Sequence, residues 1–157
     1  MKIKTGLGQD SHAFEDSDKV LILGGVTFDH AQGLSGNSDA DVVLHALTNA
    51  ISSISGRNIL GKVADDLCQS GVTDSREYLK LALADLQPGR IEHVAISIEC
   101  LTPKISPQVD AMKASIAQLL NIQSTDVGIT ATTGEGLTAF GQGKGIQALV
   151  MITVAYE

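Results

Sequence analysis

The sequence predicts an α+β fold: a single-domain sandwich over residues 1–157, with a mixed sheet carrying helices on one face. Three observations predict it. Segments that alternate apolar and polar residues, as one-faced strands do, are interspersed with segments whose apolar residues recur at helical spacing. No internal repeat, low-complexity tract or linker interrupts the chain. Its 157 residues, 43% of them hydrophobic, are one domain's worth and enough for a real core.

Taken in order, residues 2–12 read as a first strand. Leu21-Ile22-Leu23-Gly24-Gly25-Val26-Thr27-Phe28 reads as a short hairpin turning on its glycine pair. Residues 33–38 form a loop, and Asp39-Ala40-Asp41 supplies a cap and a negative first turn to a helix. That helix carries Val43, Ala46, Leu47, Ala50, Ile51 and Ile54 on one face and ends at Gly56. A second helix starts at Thr73-Asp74-Ser75-Arg76-Glu77, a cap followed by an acid three residues later, and runs to about Leu86. Residues 93–100 alternate as a strand. A third helix covers residues 106–120, with Val109, Met112, Ile116, Leu119 and Leu120 on its apolar face. Residues 127–131 and 146–156 are the remaining strands, separated by Thr132-Thr133-Gly134-Glu135-Gly136 and a glycine-rich loop.

Composition narrows the function. Only 3% of residues are aromatic and Trp is absent, so the core is built from Val, Ile, Leu and Ala. A net charge of −7 speaks against a nucleic-acid backbone or an anionic membrane as partner. Cys68 and Cys100 make no disulfide framework, which points to reduced thiols and a cytoplasmic location. The first seven residues read as strand rather than leader, and the longest apolar run, residues 147–156, is too short to span a bilayer.

Four groups of residues carry candidate chemistry. Asp10 and His12 lie two apart on a strand and therefore point the same way. A third ligand from a helix, His45, would complete a three-ligand metal site with one open position; the bland reading is a histidine hydrogen-bonded to a carboxylate. Asp41 and His45 are one turn apart, so Asp41 either orients His45 as a ligand or forms a surface pair with it. Ala131-Thr132-Thr133-x-Glu135 offers hydroxyls, free amides and a carboxylate, which could hold a phosphate group with a bridging cation; taken alone, the segment reads first as an ordinary polar loop. Pro103-Lys104 ends a strand, where Lys104 either offsets a phosphate or is simply solvated. Gly141-x-Gly143-x-Gly145 precedes a strand rather than opening a helix, so it is not a dinucleotide fingerprint.

Together these segments resemble one family, the 2-C-methyl-D-erythritol 2,4-cyclodiphosphate synthases of non-mevalonate isoprenoid biosynthesis. The resemblance rests on Gly8-Gln9-Asp10-Ser11-His12-Ala13-Phe14, Leu23-Gly24-Gly25-Val26, Ser38-Asp39-Ala40-Asp41-Val42, Leu44-His45-Ala46-Leu47-Thr48 and Gly61-Lys62. It continues through Asp74-Ser75-Arg76-Glu77, Pro103-Lys104, Ala131-Thr132-Thr133-Gly134-Glu135 and Gly141-Gln142-Gly143-Lys144-Gly145-Ile146, in family order over nearly the whole chain. It implies a metal-dependent lyase that is a homotrimer, with each active site at a subunit boundary. By the same resemblance Asp10, His12 and His45 are zinc ligands, and Glu135 holds a second cation, magnesium or manganese. Lys104, Ala131, Thr132 and Thr133 are implied to take a cytidine diphosphate group. Asn37, Ser38, Leu60, Gly61, Pro103 and Gln142 join the substrate contacts with the metal ligands Asp10, His12 and Glu135, and Thr133, Glu135 and Asn37 are the implied catalytic residues. The implied reaction is intramolecular: the 2-phosphate of 4-diphosphocytidyl-2-C-methyl-D-erythritol 2-phosphate attacks the β-phosphorus, closes a cyclic diphosphate and expels CMP.

The chain also departs from the family pattern. Asn37 stands where a histidine is usual, Ile59 where an aspartate contacts the methylerythritol hydroxyls, and Ala64 where a Phe is usual. Gln142 and Lys144 replace an Arg and a Glu near the three-fold channel, where the family can hold an isoprenyl diphosphate. A non-catalytic metal- and nucleotide- or isoprenoid-diphosphate-binding paralogue and a zinc hydrolase acting on another phosphate ester are the competing expectations.

Overall fold

The computed structural model describes residues 1–157. A long strand β1 (Lys2–Glu15) is followed by the hairpin β2 (Leu21–Leu23) and β3 (Val26–Phe28), then by β4 (Gly33–Leu34). Helices α1 (Val42–Ser55), α2 (Lys62–Gln69) and α3 (Ser75–Ala84) come next, then β5 (Arg90–Glu99), α4 (Val109–Leu120), β6 (Val127–Thr132) and β7 (Gly145–Tyr156). The main sheet has the order β4-β1-β7-β5-β6, and β2 and β3 form a separate pair. It is mixed: β7 runs antiparallel to both β1 and β5, whereas β5 and β6 are parallel.

Alternation divides the sheet into two faces. One cross-strand row is Gly8, Val150, Ile96 and Ile129; another is Gly6, Ile152, Val94 and Val127. These rows face the helices and merge with Leu44, Leu47 and Ile51 of α1 and Met112 and Ile116 of α4 into one core. The opposite face presents the row Leu7, Met151, Ala95 and Gly128. Leu7 and Met151 are 61% and 48% exposed, and the shallow cavity over this face, about 610 Å³, is lined mostly by apolar side chains. The expected sandwich with helices on one face is therefore the observed one, with an apolar outer sheet face.

Glycine brings α1 onto β1. A Cβ at Gly8 would lie 2.2 Å from the Ala46 carbonyl oxygen and 2.3 Å from the Ala50 nitrogen, and one at Gly6 would lie 2.2 Å from the Ala50 oxygen. The helix backbone thus rests directly on the strand, closer than any side chain allows. Asp41 holds the start of α1: its fully buried carboxylate accepts from the Leu44 N–H at 3.0 Å and from the Gly24 and Gly25 N–H groups at 2.8 and 2.7 Å. It is a cap that also pins the β2–β3 turn. Burial pushes its carboxyl up to about 6, against the three backbone donors that favour the charged form. Gly56 closes the helix in the left-handed conformation, as its place in the sequence suggests.

The structure departs from the sequence expectations in five places. Gly33 and Leu34, expected in a loop, pair with Glu15 and Phe14 as β4. The first turn of α1 contains no acid, because Asp41 is the cap itself. Helix α2 was not foreseen: it is short, and of its side chains only Ala64 is buried, so hydrophobic periodicity has little to register. Glu77 does not complete a capping box on α3; Asp74 caps through the Arg76 N–H, and Glu77 pairs with Lys80 at 2.9 Å. Residues 106–108 are a 3-10 turn preceding α4 rather than its first turn.

Replacing Gly8 by Ala is expected to destabilise the protein by about 3 kcal/mol, the upper end of the ~1–3 kcal/mol usual for overpacking, because rigid backbone blocks the new methyl. Urea unfolding of Gly8→Ala beside a surface control such as Thr5→Ala checks this, and equal midpoints for the two would refute the close approach.

Candidate active site

β1 and α1 converge on one point. Asp10 and His12 project from successive inward positions of β1, and His45 faces them from the first turns of α1. The Asp10 Oδ2 lies 2.9 Å from His12 Nε2 and 3.1 Å from His45 Nδ1, and the two imidazole nitrogens are 3.4 Å apart. One carboxylate oxygen and two ring nitrogens thus form a small triangle that could hold a metal ion. Its edges suit a divalent ion with bonds of ~2.0–2.1 Å, for which a tetrahedral edge is roughly 3.3 Å. The donor set is the imidazole and carboxylate chemistry of such centres.

The electrostatics follow from this closeness. Burial alone would raise the Asp10 carboxyl, but hydrogen bonds from His12 and His45 and their charge prevail and hold it down at about 2. The hydrogen bond to Asp10 raises His12 above its ordinary value, opposed by burial and aided by the Asp10 charge and by a hydrogen bond to the Ser35 backbone. Protons and a metal ion therefore compete for the same atoms.

The partner of His45 is not the expected one. Asp41, one turn earlier, is fully committed to backbone N–H groups, so it neither orients His45 nor forms a surface pair with it. Instead His45 Nε2 lies 2.7 Å from the Ser75 hydroxyl, at the start of α3, and 3.4 Å from that of Ser38. Ser75 is fully buried and donates its hydroxyl proton to Asp39 Oδ1, while its N–H reaches Asp39 Oδ2 at 3.1 Å. Sequence reasoning missed both Asp39 and Ser75, since each sits in a run that also reads as a helix cap.

A cavity of about 220 Å³ opens beside the triangle, lined by Asp10, His12 and His45 together with Asn37, Ser38, Leu60 and Gly61. Ala64 and Cys68 also line it, and the Cys68 thiol donates to the Asn37 carbonyl at 3.1 Å, pinning that loop. Ile59 behaves differently from its neighbours: it is fully buried in the core and does not reach the cavity. An apolar side chain at this position therefore contributes nothing to the cavity wall.

The remaining expected residues gather elsewhere. Ala131 is in the same cross-strand row as Asp10, through Ala148 and Ile98. Three strand spacings separate them, roughly 14 Å. Thr132, Thr133 and Glu135 follow at the exposed end of β6, and Glu135 occupies the left-handed region at φ 57°. The Gln142 amide donates to the Gly136 carbonyl at 3.1 Å, and Thr132 Oγ1 accepts from the Gly134 N–H at 3.0 Å, so the turn carrying Glu135 is braced on both sides. Glu99, unmarked by any sequence pattern, accepts from the Thr138 hydroxyl at the base of the same loop. Lys104, Ala131, Thr132, Thr133, Glu135 and Gln142 line no part of the cavity at the metal triangle. The two groups of expected residues therefore lie at the same end of the sheet but do not share a pocket within one chain.

Fold and site define an α+β protein with an Asp10–His12–His45 triangle that could hold a metal ion, seated between a sheet and its covering helix. The chain belongs to the YgbB family, whose model matches residues 3–155. A 2-C-methyl-D-erythritol 2,4-cyclodiphosphate synthase of Chlamydia felis is 52% identical over 155 residues, covering 96% of this chain and 88% of the relative. A solved 2C-methyl-D-erythritol-2,4-cyclodiphosphate synthase in a CDP-bound form superposes with a TM-score of 0.85 at 26% identity, covering 97% of this chain and all of that one. The bifunctional IspDF of Campylobacter jejuni matches with a TM-score of 0.89 at 29% identity, over 99% of this chain and 43% of that longer one.

The depressed Asp10 carboxyl sets a pH dependence. A folded value of about 2 against 3.8 in the unfolded chain stabilises the metal-free protein fully above pH 4, and this contribution is lost as pH falls towards 2. Thermal unfolding of the chelator-treated protein between pH 5 and 2 is expected to show a shallower decline for Asp10→Asn than for wild type; parallel curves would refute the arrangement.

Proposed function

We propose that this protein is a 2-C-methyl-D-erythritol 2,4-cyclodiphosphate synthase of the non-mevalonate pathway of isoprenoid biosynthesis. It converts 4-diphosphocytidyl-2-C-methyl-D-erythritol 2-phosphate into the cyclic diphosphate and CMP. The observation that carries the reading is the Asp10–His12–His45 triangle in a chain that matches the family along nearly its whole length. An oxygen of the 2-phosphate forms a bond to the β-phosphorus. The bond from that phosphorus to the α–β bridging oxygen breaks, and CMP leaves with that oxygen and its electron pair.

We assign zinc to Asp10, His12 and His45, and magnesium or manganese to Glu135. When bound, these ions share the charge that develops on the phosphates during the transfer. The protein's own contribution is positioning. Asn37 and Ser38 lie at the mouth of the metal-site cavity, where an amide and a hydroxyl can hold phosphate oxygens. Asn37 donates a hydrogen bond but brings no charge. Lys104, Ala131, Thr132 and Thr133 hold the cytidine diphosphate. Pro103 shapes the turn before Lys104, and Gln142 steadies the turn that presents Glu135. With both reacting groups in one substrate, holding its two ends removes much of the entropic barrier.

The two half-sites support a homotrimer. Each lies at the same end of the sheet, and the apolar outer face carrying Leu7, Leu149 and Met151 is the surface on which copies pack. In that arrangement the metal triangle of one chain and the β6 turn of a neighbour close a single site.

The direct test is incubation of the zinc- and magnesium-loaded protein with the diphosphocytidyl 2-phosphate substrate, followed by phosphorus NMR. Equal amounts of CMP and cyclic diphosphate are expected. CMP with a linear phosphate identifies a hydrolase, and tight binding without CMP identifies a non-catalytic paralogue. His45→Ala is expected to lower turnover by ~100- to 1,000-fold, as loss of a central electrostatic stabiliser does, with an unchanged circular dichroism spectrum. Sedimentation should show a species of three chains, and Met151→Glu on the outer face should shift it to monomer with loss of turnover.

A further inference from the structure

We propose that Asp39, acting through Ser75, is a positioning residue that keeps the His45 proton on Nε2 and so leaves the Nδ1 lone pair aimed at the metal site. The inference rests on the reading of Asp10, His12 and His45 as metal ligands, and it follows from counting donors. A carboxylate only accepts, so the Ser75 hydroxyl proton goes to Asp39 Oδ1. The Ser75 oxygen then has only lone pairs to offer His45 Nε2, 2.7 Å away. If the imidazole proton were on Nδ1 instead, two lone pairs would face each other at that distance inside a buried contact. With a metal ion taking the Nδ1 lone pair, the order His45 Nε2–H to Ser75 Oγ–H to Asp39 satisfies every atom; without the metal, Asp10 Oδ2, 3.1 Å from Nδ1, competes for the proton.

Asp39 cannot easily swing away from this role. Its Oδ1 also accepts from the Asp41 N–H and its Oδ2 from the Ser75 N–H, both at 3.1 Å. Asp41 is in turn the buried cap of α1. The pair therefore ties the protonation of His45 to the junction of α1 and α3. Ser38, at 3.4 Å from Nε2, is a weaker partner, because its oxygen already accepts from the Ala40 N–H at 3.1 Å. Partners of this kind commonly set metal affinity by 10- to 100-fold, as removal of the hydrogen bond lets the ring rotate and change tautomer.

Two measurements on Ser75→Ala and the isosteric Asp39→Asn test the proposal, with thermal unfolding to identify the folded variant. In the metal-free protein at about pH 9, where imidazoles are neutral, nitrogen-15 NMR of His45 should report a larger share of the Nε2–H form in wild type than in either variant, where Asp10 draws the proton to Nδ1 unopposed. Zinc titration against a chromophoric chelator should show roughly 10- to 100-fold weaker binding in either variant. A tautomer ratio that is the same in wild type and the folded variants, or zinc affinity equal to wild type in those variants, overturns the proposal. A wild type that binds no zinc defeats the metal assignment, while the NMR result still decides whether the Asp39–Ser75 pair sets the tautomer.

Discussion

The close approach of α1 to β1 is the constraint on which the rest of the structure depends. Gly6 and Gly8 let the helix backbone sit against the strand at Ala46 and Ala50. Asp10 and His12 continue the same strand face beyond those glycines, and His45 is the helix residue next to Ala46. The spacing of the metal triangle is thus set by backbone contact rather than by flexible side chains. A backbone-defined gap is stiff, because closing or widening it means moving whole elements of the core.

A second layer of buried polar groups fixes the end of that helix. Asp41 gathers N–H groups from α1 and from the β2–β3 turn, and Asp39 gathers them from Asp41 and Ser75. Neither carboxylate lines the cavity beside the triangle; Asp41 fixes the start of the helix that carries His45, and Asp39 reaches the ring through Ser75. A run rich in aspartate would ordinarily be solvated. Here it is folded inward and matched almost entirely by backbone donors, which is how an acidic chain places carboxylates near a metal centre without adding lysines or arginines.

The other end of the chemistry is built with less rigidity. The segment from Ala131 to Glu135 is exposed in the single chain and is held by its own turn, by Gln142 and by Thr132. It lies away from the triangle within one chain, and the outer sheet face beside it exposes Leu7, Leu149 and Met151. A contiguous exposed apolar face of this kind marks an interaction surface.

Much of this was legible in the sequence. The period-two pattern marked the long strands, and the period of α1 and α4 marked their buried faces, because burial on one side writes itself into residue order. Asp10 and His12 were readable as a pair because strand geometry fixes side chains two apart. The role of Asp41 was misjudged, and Ser75 and Asp39 were passed over, for a common reason: helix caps, buried acceptors and ligand supports use the same short polar residues, and only the positions of the surrounding N–H groups tell them apart. Helix α2 was missed because burying little leaves little pattern. What the sequence by itself determined is the local geometry, the one-faced sheet and the ligand types, since these depend on neighbours along the chain. The tertiary structure alone decided which carboxylate supports His45, that Ile59 turns into the core, and that the Ala131–Glu135 segment lies outside the cavity at the triangle, since each of these depends on which distant segments are brought into contact.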